Sequence, residues 1–96
     1  MARRRTGRAA KVAALDVFTV EFDWDVNATM RADYAVPSAR VAALWFVEDL
    51  RRDGFPSLVA DASMFVESQR TGRLERWTAH DGYRVAFHSC LHAGGL

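Results

Sequence analysis

Residues 36–55, VPSARVAALWFVEDLRRDGF, decide the fold. Pro37 has its φ preset near the helical value and lacks an N–H, which suits the edge of a helix start. Ser38 follows as an N-cap whose hydroxyl can satisfy an orphan amide of the first turn. At the other end Arg51 and Arg52 lie where cations complement the helix dipole, and Gly54 can adopt the left-handed conformation that closes a helix. At about 100° per residue, Ala39, Ala43, Phe46, Val47 and Leu50 fall on one stripe, the pattern of a core-facing helix. Arg40, Asp49, Arg51 and Asp53 fall outside it. Val41, Leu44 and Trp45 are apolar but surplus to the stripe. Either a flanking segment or the N-terminal arm covers them, or they anchor a protein partner or a homodimer, a role to which Trp is well suited.

The stretches on either side of this helix read as strands. From Asp16 to Val26 the pattern has period two: Phe18, Val20, Phe22, Trp24 and Val26 alternate with Thr19, Glu21, Asp23 and Asp25. Glu21, Asp23 and Asp25 would suit acid–base work or a hard cation only with a base or loop geometry that the sequence does not supply. The plainer reading is the solvated outer face of an antiparallel strand. Asn27 and Ala28 form the expected turn to a second strand, residues 29–36, on which Met30, Ala32, Tyr34 and Val36 alternate with Thr29, Arg31 and Asp33. In that hairpin Arg31 faces an acid of the first strand.

Residues 58–70 fit two templates. As a helix they gather Leu58, Val59, Ala62, Phe65 and Val66; as a strand they gather Leu58, Ala60, Ala62, Met64 and Val66. The β-branched and aromatic residues and the break at Gly54-Phe55 favour a strand, with a second helix as the alternative. Residues 73–80 and 83–90 flank Asp81-Gly82, a strong hairpin signal. On the last strand Tyr83, Val85, Phe87 and Leu91 are expected on one face, and Arg84, Ala86, His88, Cys90 and His92 on the other. The expected architecture is therefore α+β: an N-terminal hairpin, a central helix on one face of a mainly antiparallel sheet and a C-terminal meander, in the order ββαβββ. Residues 1–11 read as a flexible basic arm, 12–92 as one domain and 93–96 as a frayed tail.

Length and composition bound the function. Ninety-six residues, half of them apolar and 26% charged, make one ordinary globular domain with a single modest core. The formal charge of +1 conceals an asymmetry, because five of the thirteen basic residues (Arg3, Arg4, Arg5, Arg8 and Lys11) precede the first acid. Residues 12–96 then carry eight basic against twelve acidic residues, a net of −4. Cys90 is the only cysteine, so an intrachain disulfide is excluded and a reducing, cytoplasmic setting is expected. No apolar run reaches the roughly 18–20 residues of a membrane span, so no membrane partner is expected.

No motif fixes a chemistry. Phosphate-binding, dinucleotide and metalloprotease patterns are absent from the sequence. His88, Cys90 and His92 would share a strand face, but their spacing matches no zinc site, so no metal or other cofactor is expected. A Cys–His nucleophile there lacks an oxyanion-stabilising group. The reading is non-enzymatic, with no catalytic residues and no small-molecule substrate. Two binding functions remain. One is contact with nucleic acid or a nucleoprotein through Arg3, Arg4, Arg5, Arg8 and Lys11 together with Arg73, Arg76 and Arg84, which are interleaved with Trp77, Tyr83 and His80. The other is an inhibitor or assembly module of the phage or mobile-element kind, which binds protein through Val41, Leu44 and Trp45 and the acidic strand of Glu21, Asp23 and Asp25.

Overall fold

A computed structural model describes residues 4–6, 15–25, 28–54, 62–80 and 84–95. Within them the chain forms β1 (Arg4–Thr6), β2 (Asp16–Asp25), β3 (Ala28–Val36), α1 (Ala39–Arg52), β4 (Ala62–Ser68), β5 (Leu74–His80) and β6 (Arg84–His92). The strands make one sheet in the order β1-β3-β2-β4-β5-β6, and α1 lies across one face of it. From β3 to β6 every neighbour is antiparallel, and only β1 joins in parallel. This is the expected helix-on-sheet α+β architecture. The one addition is that Arg4–Thr6, within the stretch read as an arm, pairs with Asp33–Ala35 along the edge of β3. A three-residue strand with no apolar alternation gives no periodicity signal in the sequence.

The helix ends where its capping residues place them. Ser38 is extended, and its Oγ accepts from the Val41 amide at 3.3 Å. Asp53 caps the other end, followed by Gly54 at φ 79°, the left-handed geometry that glycine permits without strain. Ala43, Phe46, Val47 and Leu50 are buried as the stripe predicts, and Ala39 packs at its margin. Opposite them lie Phe18, Val20, Phe22, Tyr34, Val36, Met64, Val66, Trp77 and Ala79. Phe22 and Phe46 meet edge-to-face with centroids 5.8 Å apart.

One helix residue departs from the stripe pattern. Asp49 falls outside the apolar stripe, yet it is buried, because the Tyr34 hydroxyl donates to its Oδ2 at 2.9 Å. Arg52 Nη1 lies 3.5 Å from its Oδ1 and supplies an opposite charge. Burial of a carboxylate is costly unless it is bonded and paired, and this one is both.

Residues 62–68 are a strand, not a second helix, since β4 has a partner on each side: β2 on one and β5 on the other. Residues 55–61, the Asn27 turn at 26–27 and the Asp81-Gly82 turn at 81–83 lie outside the described residues. The hairpins they join are both present. At the other end of the sheet, Asp16 ties the start of β2 to the β4–β5 turn. Its carboxylate accepts from the Val17 amide at 2.7 Å, the Arg70 amide at 3.1 Å and the Ser68 hydroxyl. The tail expected to fray is held here as well: the Gly95 amide donates to the Thr71 carbonyl at 2.9 Å, and Gly94 lies against the Thr71–Arg73 backbone.

Candidate functional site

Because α1 takes one face of the sheet, the other is left without a covering helix or strand among the described residues. Cross-strand pairing fixes what that face presents, since paired residues share a face. Its central row runs across five strands as Arg31–Glu21–Phe65–Arg76–Ser89. The row on one side is Asp33–Thr19–Glu67–Leu74–His92, and on the other Thr29–Asp23–Ser63–Thr78–Ala86. The β3–β2–β4 half therefore carries Glu21, Asp23, Asp33 and Glu67 against Arg31, and the β5–β6 half carries Arg76 and Arg84. Phe65 stands half-buried at the seam.

Hydrogen bonds hold several of these groups in place. Arg76 is half-buried and donates through Nε and Nη2 to Ser63 Oγ at 3.1 and 2.9 Å. Thr19 is buried under Gln69, whose amide donates to Thr19 Oγ1 at 2.5 Å, while Thr19 donates to Asp33 Oδ1 at 2.7 Å. Asp23 accepts from the Thr29 hydroxyl at 2.9 Å. The pairing of Arg31 with Glu21 in register is the one expected of the hairpin.

Among the described residues, the predicted nucleic-acid residues do not gather in one place. Arg3, Arg8 and Lys11 lie outside the described residues. The backbone of Arg4 and Arg5 pairs with Asp33 and Tyr34 on β3, at the edge of the sheet opposite to β6. Four strand spacings separate β1 from β5, about 19 Å, and the acidic strands lie between. Arg76 and Arg84 share the open face, Arg84 standing in register with His80. Arg73 turns away from both: its Nε donates to Glu75 Oε2 at 2.5 Å, on the helix side of the sheet. That hydrogen bond, and to a lesser degree the charges of Cys90 and Glu75, raise the Arg73 guanidinium above its ordinary value. Trp77 is not interleaved with these arginines on a free face. It is buried beneath α1, with its Nε1 donating to Glu75 Oε1 at 2.9 Å.

The predicted partner-binding residues fall on two opposite sides. Trp45 is half-buried and meets Tyr34 edge-on at 6.3 Å, Val41 packs at the core margin, and Leu44 remains 38% exposed. Tyr34 thus provides part of the cover that the sequence assigned to the arm, a loop or a partner. Glu21 and Asp23 point from the other side of the sheet, and Asp25 ends β2, so no single flat partner reaches both groups.

The His88–Cys90–His92 face is broken by irregular register. Phe87 pairs with Trp77, Ser89 with Arg76, Cys90 with Glu75 and His92 with Leu74, so His88 and Leu91 are extra residues in two bulges. Cys90 moves to the helix side and His92 stays on the open side. Among the described residues no group of three His, Cys, Asp or Glu side chains is arranged to hold a metal ion. A pocket lined by Thr29, Met30, Tyr34, Phe46, Leu50 and Asp53 encloses about 110 Å³, less than the roughly 300 Å³ at which small-molecule sites begin, whereas a hollow of about 340 Å³ bounded by Leu15, Asp16, Val17, Ala35, Gln69 and Arg70 lies wide open to solvent.

Sequence reasoning missed Phe65, Asp33 and Glu67 as members of one surface. The signal was present in the alternation Ser63–Phe65–Glu67, but its meaning depends on which strands flank β4, and that is a long-range fact. Comparison of the chain with protein-family models, with curated proteins and with solved structures found no match.

Proposed function

We propose that this protein is a small protein-binding module that docks through the open face of its sheet. The observation that carries the reading is the row Arg31–Glu21–Phe65–Arg76–Ser89, an aromatic residue flanked by opposite charges on a face that no described element covers. An aromatic anchor ringed by charge is the usual composition of a protein contact, with the ring supplying desolvated area and the charges setting orientation. Four carboxylates at the β3–β2–β4 end favour a partner that presents cations there. An inhibitor or assembly factor of the phage or mobile-element kind would use such a surface.

Chemical cross-linking in the native cells tests this with two variants. Phe65→Thr keeps a strand-forming residue but removes the ring, and is expected to abolish cross-links to protein partners. Trp45→Ala alters the helix side and is expected to leave them. The reverse pattern would move the docking site to α1.

A second reading, contact with nucleic acid, is favoured by Arg76 and Arg84 sharing the open face of β5 and β6. It predicts binding to generic single strands and duplexes that weakens steeply with salt and is reduced by removing either arginine. The absence of binding at low salt would end it.

A further inference from the structure

We infer that the occupant of the open face is the same face of a second copy, related by a two-fold axis that runs parallel to the strands beneath Phe65. This rests on the protein-binding reading and names its partner. The register supplies the complementarity. A two-fold axis under β4 lays β5 of one copy beneath β2 of the other and β6 beneath β3. Along the central row, Phe65 then meets Phe65, Glu21 meets Arg76, and Arg31 meets Ser89, each contact twice except the one on the axis. A surface that is acidic on one side of a central aromatic and basic on the other is complementary to itself under this operation, which is what an isologous interface needs.

The size is consistent with a reversible dimer. The face is five strands wide and six or seven residues long, about 19 Å by about 20 Å between strand axes, a footprint of about 400 Å² per copy, about half that of a standard interface and in the range of weak, transient contacts. Aligned sheets pack about 10 Å apart, and the twist within each sheet carries positions far from the axis out of line, so the contact is closest around Phe65 and splays toward solvent at the outer strands. One outer contact is unfavourable: Glu67 also lies on β4, so the axis sets it near its own copy. Like charges across an interface weaken it, and Glu67 therefore limits the affinity.

Sedimentation equilibrium on the full chain tests the inference through a charge exchange. Wild type is expected to dimerise reversibly. Glu21→Arg and Arg76→Glu should each weaken the dimer by about tenfold or more, and the double variant carrying both should return to within about threefold of wild type, because the pair is reconstituted with reversed signs. Glu67→Gln should tighten it. Thermal unfolding of each variant confirms that the fold is retained, and Glu67→Gln removes a surface charge without touching the core, so it reads the interface even if a reversal proves destabilising. A wild type that stays monomeric overturns the inference, as does a dimer that the double variant fails to restore or that Glu67→Gln fails to tighten. The protein-binding reading fails separately, when Phe65→Thr leaves partner cross-links intact.

Discussion

Tyr34 and Asp49 are joined by a buried hydrogen bond of 2.9 Å that ties the second strand of the opening hairpin to α1. It is a polar contact inside an apolar interface, so its loss has a cost that apolar packing does not recover. Tyr34→Phe removes the donor while Asp49 keeps Arg52 nearby. The variant is expected to lose about 1–3 kcal/mol of stability, with an unchanged m-value in urea denaturation. A loss near zero would mean that Asp49 is solvated in the native protein.

Asp16 performs a similar task at the other end of the sheet. Its carboxylate accepts from the Val17 and Arg70 amides and the Ser68 hydroxyl, and the bonds from Arg70 and Ser68 each join residues more than fifty positions apart. Asp16→Ala is expected to cost about 1–3 kcal/mol, and to speed amide exchange at Arg70 more than in the centre of β2. Uniform acceleration across the sheet would contradict a local clamp.

Gly94 is placed so that a Cβ would come within 2.5 Å of the Thr71 carbonyl oxygen, and its φ of 76° disfavours any side chain. Gly94→Ala should therefore release the tail. Amide exchange at Gly95 is expected to rise sharply, while global stability falls by less than about 1 kcal/mol, because the segment buries little. Retained protection at Gly95 would show that the tail finds another anchor.

Trp45, surplus to the apolar stripe of α1, packs at the margin of the core against Tyr34. Trp45→Ala is expected to cost about 1–3 kcal/mol, less than a fully buried aromatic, and to leave self-association unchanged. Loss of the dimer in this variant would place the interface on α1.

The fold was legible because its signals are local. The caps at Ser38 and Gly54, the stripe from Ala39 to Leu50 and the alternation of Phe18, Val20 and Phe22 each report their own element. Where the reading failed, the deciding fact lay elsewhere in the chain. Asp49 looks like a surface residue until Tyr34 is set beside it, and His88, Cys90 and His92 look aligned until β5 imposes two bulges. The surface proposed to function was hidden for the same reason. Glu21, Phe65 and Arg76 are far apart in sequence, and only the strand order makes them neighbours.

The measurement closest to the central claim is hydroxyl-radical footprinting across a range of protein concentrations. Phe65 labels the open face, whereas Phe87 and Leu91, each 51% exposed, label the β6 edge, and Leu44 labels the outer side of α1. The expected result is that Phe65 becomes protected as concentration rises while Phe87, Leu91 and Leu44 keep their reactivity. Phe65 labelled equally at every concentration, or protection at Phe87 and Leu91 or at Leu44 instead, would contradict it.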